Sequence, residues 1–171
     1  MNPGLIAIAL LVISPFSVWP QEAVTPEARR HPGHKMEASF NPSQETFSTD
    51  GPVLVTLKIK NIGDTPFKFM RGGRQRGPRD NQFAYTAEQN NRMLPDVGEP
   101  TNFGGIGSYV VLAPNEEVEI SVDLTKWFDF KEPGLVMLRG SYYMYFGYPD
   151  LTGYTKIWED FACAEFSIKI K

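Results

Sequence analysis

Between Val53 and Lys60 the chain alternates: Val53, Val55, Leu57 and Ile59 are separated by Leu54 and by the polar Thr56, Lys58 and Lys60. Period two over such a stretch predicts a half-buried strand with one dry face and one wet face. The same signature recurs at Val118, Ile120, Val122 and Leu124, with Glu119, Ser121 and Asp123 between them. A longer strand follows the Pro133-Gly134 turn, from Leu135 to Phe146, and puts Val136, Leu138, Gly140, Tyr142, Met144 and Phe146 on one side. The last strand sets Ala164, Phe166, Ile168 and Ile170 opposite Glu165, Ser167, Lys169 and Lys171, and Met36 to Phe40 supplies an alternating first strand. Asn61 to Pro66 has hairpin turn chemistry and predicts Phe67-Lys68-Phe69 as the return strand. Phe83 to Thr86, Arg92 to Leu94 and Tyr109 to Leu112 are shorter candidates. No stretch sustains a helical period; Leu124 to Phe130, LTKWFDF, predicts at most a single turn linking two sheets. About eight short strands with regular turn signals predict an all-β, two-sheet antiparallel sandwich over residues 36–171.

The amino-terminal segment breaks this pattern. Leu5 to Ile13 is an uninterrupted apolar run closed by Ser14-Pro15, the length of a signal-peptide apolar region. Extended to Trp19 it would rise only about 22 Å as a helix, against a hydrocarbon core of about 30 Å. Met1 to Gly4 carry no Lys or Arg, and no A-x-A triplet follows the run. The reading is a signal peptide over residues 1–23, cleaved near Ala23, and a secreted or periplasmic product with no stable membrane insertion after leader removal. An uncleaved anchor and a buried amino-terminal strand are the competing readings. Gln21 to Lys35 holds two prolines and a glycine without apolar periodicity, which predicts a linker over residues 24–35.

Composition narrows the chemistry. The 171 residues are 42% hydrophobic and 22% charged, which fits one globular domain. The formal net charge of −3 argues against nucleic acid or an anionic membrane as partner. A single cysteine, Cys163, excludes an internal disulfide framework and reads as an inert thiol, either on the face of the last strand opposite Ala164 and Phe166 or packed at the sheet end, with an intermolecular disulfide as the alternative. The two histidines, His31 and His34, have Pro32-Gly33 between them, which prevents a helical turn from aligning them, and two ligands fall short of a zinc site. They read as linker side chains, so no catalytic residue, metal or cofactor is expected. Glu116, Glu117 and Glu119 lie at a turn and on a wet strand face, where charge keeps an edge soluble.

Two features stand out as candidate binding groups. Phe67 to Asp80, FKFMRGGRQRGPRD, concentrates Lys68, Arg71, Arg74, Arg76 and Arg79 on a glycine-rich loop with no acid before Asp80. Guanidinium groups on such a loop suit carboxylate, sulfate or phosphate through bidentate contacts. The second is the run Tyr142 to Tyr148, in which Tyr143 and Tyr145 share the outward side and would form a stacking platform if that face is uncovered.

GPVLVTLKIKNIGDTPFKF at Gly51 to Phe69 and VVLAPNEEVEISVDLTKWFDFKEPGLVML at Val110 to Leu138 carry a family resemblance. Together they resemble the small immunoglobulin-like β-domain that precedes the catalytic domain of secreted peptidyl-Lys metalloendopeptidases of the deuterolysin type. They are also similar to stand-alone bacterial domains of the proteinase-inhibitor class. The chain lacks a His-Glu-x-x-His stretch, so no catalytic residue carries over. The resemblance implies an immunoglobulin-like sandwich with an extracytoplasmic accessory role. The expectation is an exported, non-enzymatic interaction module with an extracytoplasmic protein or an anionic glycan as partner. A proteinase-inhibitor-like domain acting through an extended loop, Arg71 to Asp80 or Pro95 to Ser108, and a carbohydrate-binding module are the alternatives.

Overall fold

A computed structural model describes residues 31–73, 79–98, 105–148 and 156–171. The predicted leader and most of the predicted linker lie outside the described residues, as do Arg74 and Arg76. The strands are β1 (Met36–Pro42), β2 (Thr46–Phe47), β3 (Leu54–Asn61), β4 (Phe67–Gly72) and β5 (Phe83–Gln89), then β6 (Arg92–Met93), β7 (Gly107–Leu112), β8 (Glu117–Asp123), β9 (Gly134–Gly147) and β10 (Lys156–Ile170). They form a sandwich of two sheets, as the alternation predicts. The small sheet has the order β1-β3-β8; the large one runs β2-β10-β9-β4-β7, with β5 also on β9 and β6 on β5. Pairing is antiparallel except for the two-residue match of β2 with β10.

The alternation explains the layering. Val55, Leu57 and Ile59 of β3 face Tyr142, Met144, Phe146, Ile168 and Ile170 of the large sheet, and all belong to one continuous core. Gly140 interrupts the inward row of β9 because a Cβ there would come within 2.9 Å of the rings of both Phe40 and Tyr85. Its absence lets aromatic rings from two strands close over the sheet. At the corner after β8, Asp123 Oδ1 accepts from Thr125 N and Val53 N, each at 3.1 Å. The following 3-10 turn, Leu124–Lys126, delivers Trp127, Phe128 and Phe130 into the core. This is the single turn between sheets that the sequence predicts.

One expectation is corrected. β3 and β4 are not hairpin partners: β4 belongs to the other sheet, between β9 and β7. Phe67, Lys68, Phe69 and Met70 are all buried, so β4 is covered on both sides and shows no alternation. The turn chemistry instead builds an arch across the sandwich. Asn61 Nδ2 donates to the carbonyls of Thr65 and Leu112, both at 2.9 Å, and its Oδ1 accepts from Gly63 N at 2.9 Å. β10 is longer than its carboxy-terminal alternation implies, and it runs the full length of β9.

The edge of β9 is shared between β5, along Val136 to Tyr142, and β4, at Phe146 and Gly147. Gln82 fills the junction with a buried side chain. Its Nε2 donates to Met70 O and Tyr143 O, each at 3.1 Å, while its Oε1 accepts from the Tyr142 hydroxyl at 3.0 Å and from Gly72 N. A buried amide so fully paired keeps the split sheet closed.

Candidate functional site

The pairing of β9 with β10 brings outward residues side by side: Tyr143 lies opposite Phe161, Tyr145 opposite Glu159, and Arg139 opposite Glu165. Tyr143 and Tyr145 are half-buried, and Phe161 is 55% exposed. The Tyr143 ring centroid stands 5.5 Å from Phe161 and 6.3 Å from Tyr145. The Tyr143 hydroxyl donates to Glu159 at 2.5 Å, which holds the ring upright against its neighbours. Interplanar angles of 58° to Phe161 and 49° to Tyr145 tilt the Tyr143 ring away from both neighbours and make the cluster ridged.

The same face continues past the Arg139 and Glu165 ion pair to Met137 and Met93, which are 50% and 61% exposed. They border an open depression of about 530 Å³. Cys163 is a free, exposed thiol on this face, which decides between the two placements its alternation leaves open. The sequence singled out Tyr143 and Tyr145; it missed Phe161, because only the strand register tells which β10 residue meets Tyr143. The signal available was the outward parity of Phe161 with Cys163 and Glu165.

The arginine loop divides. Arg71 is exposed at the end of β4. Arg79 is committed inside the fold: Nη1 donates to Asp96 Oδ1 at 2.6 Å, and the guanidinium lies 5.1 Å from the Trp127 ring centroid. Burial acts to raise the Asp96 pKa, but the hydrogen bonds from Arg79 and Gly98 N outweigh it and hold the carboxyl below its ordinary value. Gly98 has no side chain because a Cβ would overlap the Arg79 guanidinium. Arg79 is therefore a structural cation, occupied by an acid 17 residues away, and is unavailable to an anionic ligand without breaking that corner.

His31 is exposed, as a linker side chain would be, but His34 is not a solvated linker side chain. His34 has only 5% of its side chain exposed and stacks on Phe146, with ring centroids 3.9 Å apart and planes at 16°. Ile62 N donates to Lys35 O at 3.1 Å, tying the same segment to the arch. His34 Nε2 lies 3.4 Å, and His31 Nε2 4.0 Å, from Asp160 Oδ2.

No protein-family model and no curated protein matches the chain. Solved structures that resemble it do so distantly. A β-glucosidase from Erythrobacter marinus aligns at 13% identity and TM-score 0.39 over 81% of this chain. A β-glucosidase from Listeria innocua does so at 13% identity and TM-score 0.38. This chain spans 16% of the length of each. The CARDB domain of a Pyrococcus furiosus protein, solved with di-metal ions, aligns at 10% identity and TM-score 0.39, covering 81% of this chain and 89% of that one.

Proposed function

We propose that the chain is an exported, non-enzymatic interaction module that docks a partner protein on the outer face of its large sheet, around Tyr143, Tyr145 and Phe161. The observation that carries this reading is the 55% exposure of Phe161 in ring contact with the half-buried Tyr143 on the outward side of the large sheet. Aromatic side chains in contact with one another and flanked by charge are the composition of protein-binding hot spots. Large exposed apolar groups clustered on one face need a reason, whereas scattered ones do not. The tilt between the rings favours a protein surface with its own relief over a flat sugar ring. Resemblance to the amino-terminal domain of deuterolysin-type peptidases supports the accessory role and the extracytoplasmic location. Arg71, Arg74 and Arg76 remain candidates for a charged rim on the same partner.

The test is affinity capture from native envelope and medium fractions with the wild type, a Tyr143→Ser/Phe161→Ser variant and a Lys58→Ser control on the opposite sheet. Recovery of the specific partner should fall at least about tenfold, the equivalent of about 1.4 kcal/mol, in the aromatic variant alone. Equal recovery from all three removes the face from consideration. Export is checked separately by sequencing the amino terminus of recovered protein, which should begin within residues 20–28.

A further inference from the structure

The chain enters β1 beside the start of β10, and three side chains meet there from positions 126 residues apart in sequence. Asp160 sits in register with Met144 on the inward side of β10, with Oδ2 3.4 Å from Nε2 of the His34 ring that stacks on Phe146. His31 leans over both, 4.5 Å from the His34 ring and edge-on to Trp158 at 5.2 Å. We propose that His31, His34 and Asp160 are three ligands of a divalent transition-metal site of the zinc class, which fastens the segment preceding β1 onto β10.

Geometry and chemistry both carry the assignment. One ligand atom from each residue lies within 4.8 Å of the other two. Ligands bonded tetrahedrally at about 2.0–2.1 Å are about 3.3 Å from one another. The spacings of 3.4 and 4.0 Å to Asp160 Oδ2 therefore need only a small inward movement. Two imidazoles and one carboxylate form a borderline donor set that favours zinc, cobalt, nickel or copper over calcium or magnesium. Among the described residues, no other three His, Cys, Asp or Glu side chains meet in this way.

The second observation is His34 itself. Its ring is almost wholly buried, yet Nδ1 has no hydrogen-bond partner, and the contact from Nε2 to Asp160 is long at 3.4 Å. A metal bond at Nε2 would replace that long contact with a strong one, through the nitrogen of the buried ring that faces Asp160.

The other two ligands supply access. Their side chains are 46% (His31) and 38% (Asp160) exposed, so an ion can enter from solvent and keep water in a fourth position. His31 Nδ1 accepts from Gly33 N at 3.0 Å. Ligation through Nε2 moves the ring proton to Nδ1 and exchanges that contact for solvent. Gly33 has φ +86°, and a Cβ placed on it would meet nothing within 4 Å, so the backbone there has room for the adjustment.

The experiment titrates Zn²⁺ and Co²⁺ into the purified, chelator-stripped chain, followed by calorimetry, by the visible Co²⁺ spectrum and by the thermal midpoint. The expected result is one equivalent bound, a tetrahedral-type Co²⁺ absorption and a midpoint raised by several degrees at saturating metal. His31→Ala and Asp160→Asn alter partly exposed groups and should leave the metal-free fold intact. Each should weaken binding at least about tenfold and abolish the Co²⁺ spectrum. His34→Gln should do the same, but because His34 is buried its result counts only if the variant's metal-free midpoint matches that of the wild type. Failure of the wild type to bind Zn²⁺ at millimolar concentration overturns the proposal. So does unchanged binding by both His31→Ala and Asp160→Asn, since the ion would then sit elsewhere. Neither result depends on whether the aromatic face binds a protein.

Discussion

The two outer faces of the sandwich are built from strands of similar alternation, and they end in opposite surfaces. On the small sheet, Lys58 pairs with Glu117 at 2.9 Å and Glu119 at 3.4 Å, and the Thr56 hydroxyl meets that of Ser121 at 2.8 Å. Every outward position from Thr56 to Lys60 on β3 is polar or charged, with cross-strand partners of matching chemistry on β8. On the large sheet, outward positions hold Leu135, Met137, Tyr143, Tyr145 and Phe161, with Arg139 and Glu165 as the ion pair among them. A sheet that needs only solubility looks like the first. The second retains apolar area that solvation alone does not explain, which is why the functional proposal rests there.

The largest effect that sharpens this contrast lies within one strand. Met144 faces the core with no exposure, and Met137 faces outward at 50% exposure. Met144→Ala should cost about 2–5 kcal/mol through lost burial and a residual cavity. Met137→Ala should stay within about ±0.5 kcal/mol. Chemical denaturation of the two variants checks this; a large loss from Met137→Ala would mean that the outer face is part of the stabilising structure and not a surface kept for a partner.

An intermediate effect is expected at the Arg79 corner. The Asp96 pKa is lowered in the folded chain from its ordinary 3.8, so the unfolded state binds the proton more readily. The stability this supplies is present in full above pH 3.8 and is lost as pH falls through the lower folded value. Asp96→Asn should therefore lower stability at neutral pH and flatten its decline in acid. Unfolding midpoints measured from neutral pH down to pH 3 test this; parallel curves for variant and wild type would show that the pair contributes nothing, and would return Arg79 to the set of cations available for binding.

The smallest effect belongs to the small sheet. Lys58 is raised in pKa by its hydrogen bond and charge contact with Glu117, but Lys58 and both of its partners, Glu117 and Glu119, face solvent. Lys58→Ala should barely move the thermal midpoint at low salt and not at all at high salt. A clear loss that persists in high salt would make the polar face a stabilising network, and would weaken the reading of the two faces as one solvated and one reserved.

Much of the fold was legible in the chain. β3, β8, β9 and the carboxy-terminal half of β10 were readable because each has one dry and one wet side, and period two then dictates both the element and its orientation. The turn after Asp123 was readable because Leu124 to Phe130, LTKWFDF, does not continue the period-two alternation of β8. β4 misled, since a strand covered on both sides loses its period and leaves only the adjacent turn chemistry to judge by. Tyr143 and Tyr145 could be placed outward by counting along one strand.

What depends on two strands at once was not in the chain's local pattern. Alternation determined which side of β10 Phe161 occupies, but only the register between β9 and β10 set it against Tyr143. The glycine-rich basic run determined a loop, while the fold decided that Arg79 commits its charge to Asp96 and Trp127. Pro32-Gly33 determined that His31 and His34 share no helix face; the packing of His34 on Phe146 decided that they meet Asp160. Local pattern is a record of burial, which each residue experiences singly. A site is a set of distances between residues remote in sequence, and those exist only once the two sheets have closed on their common core.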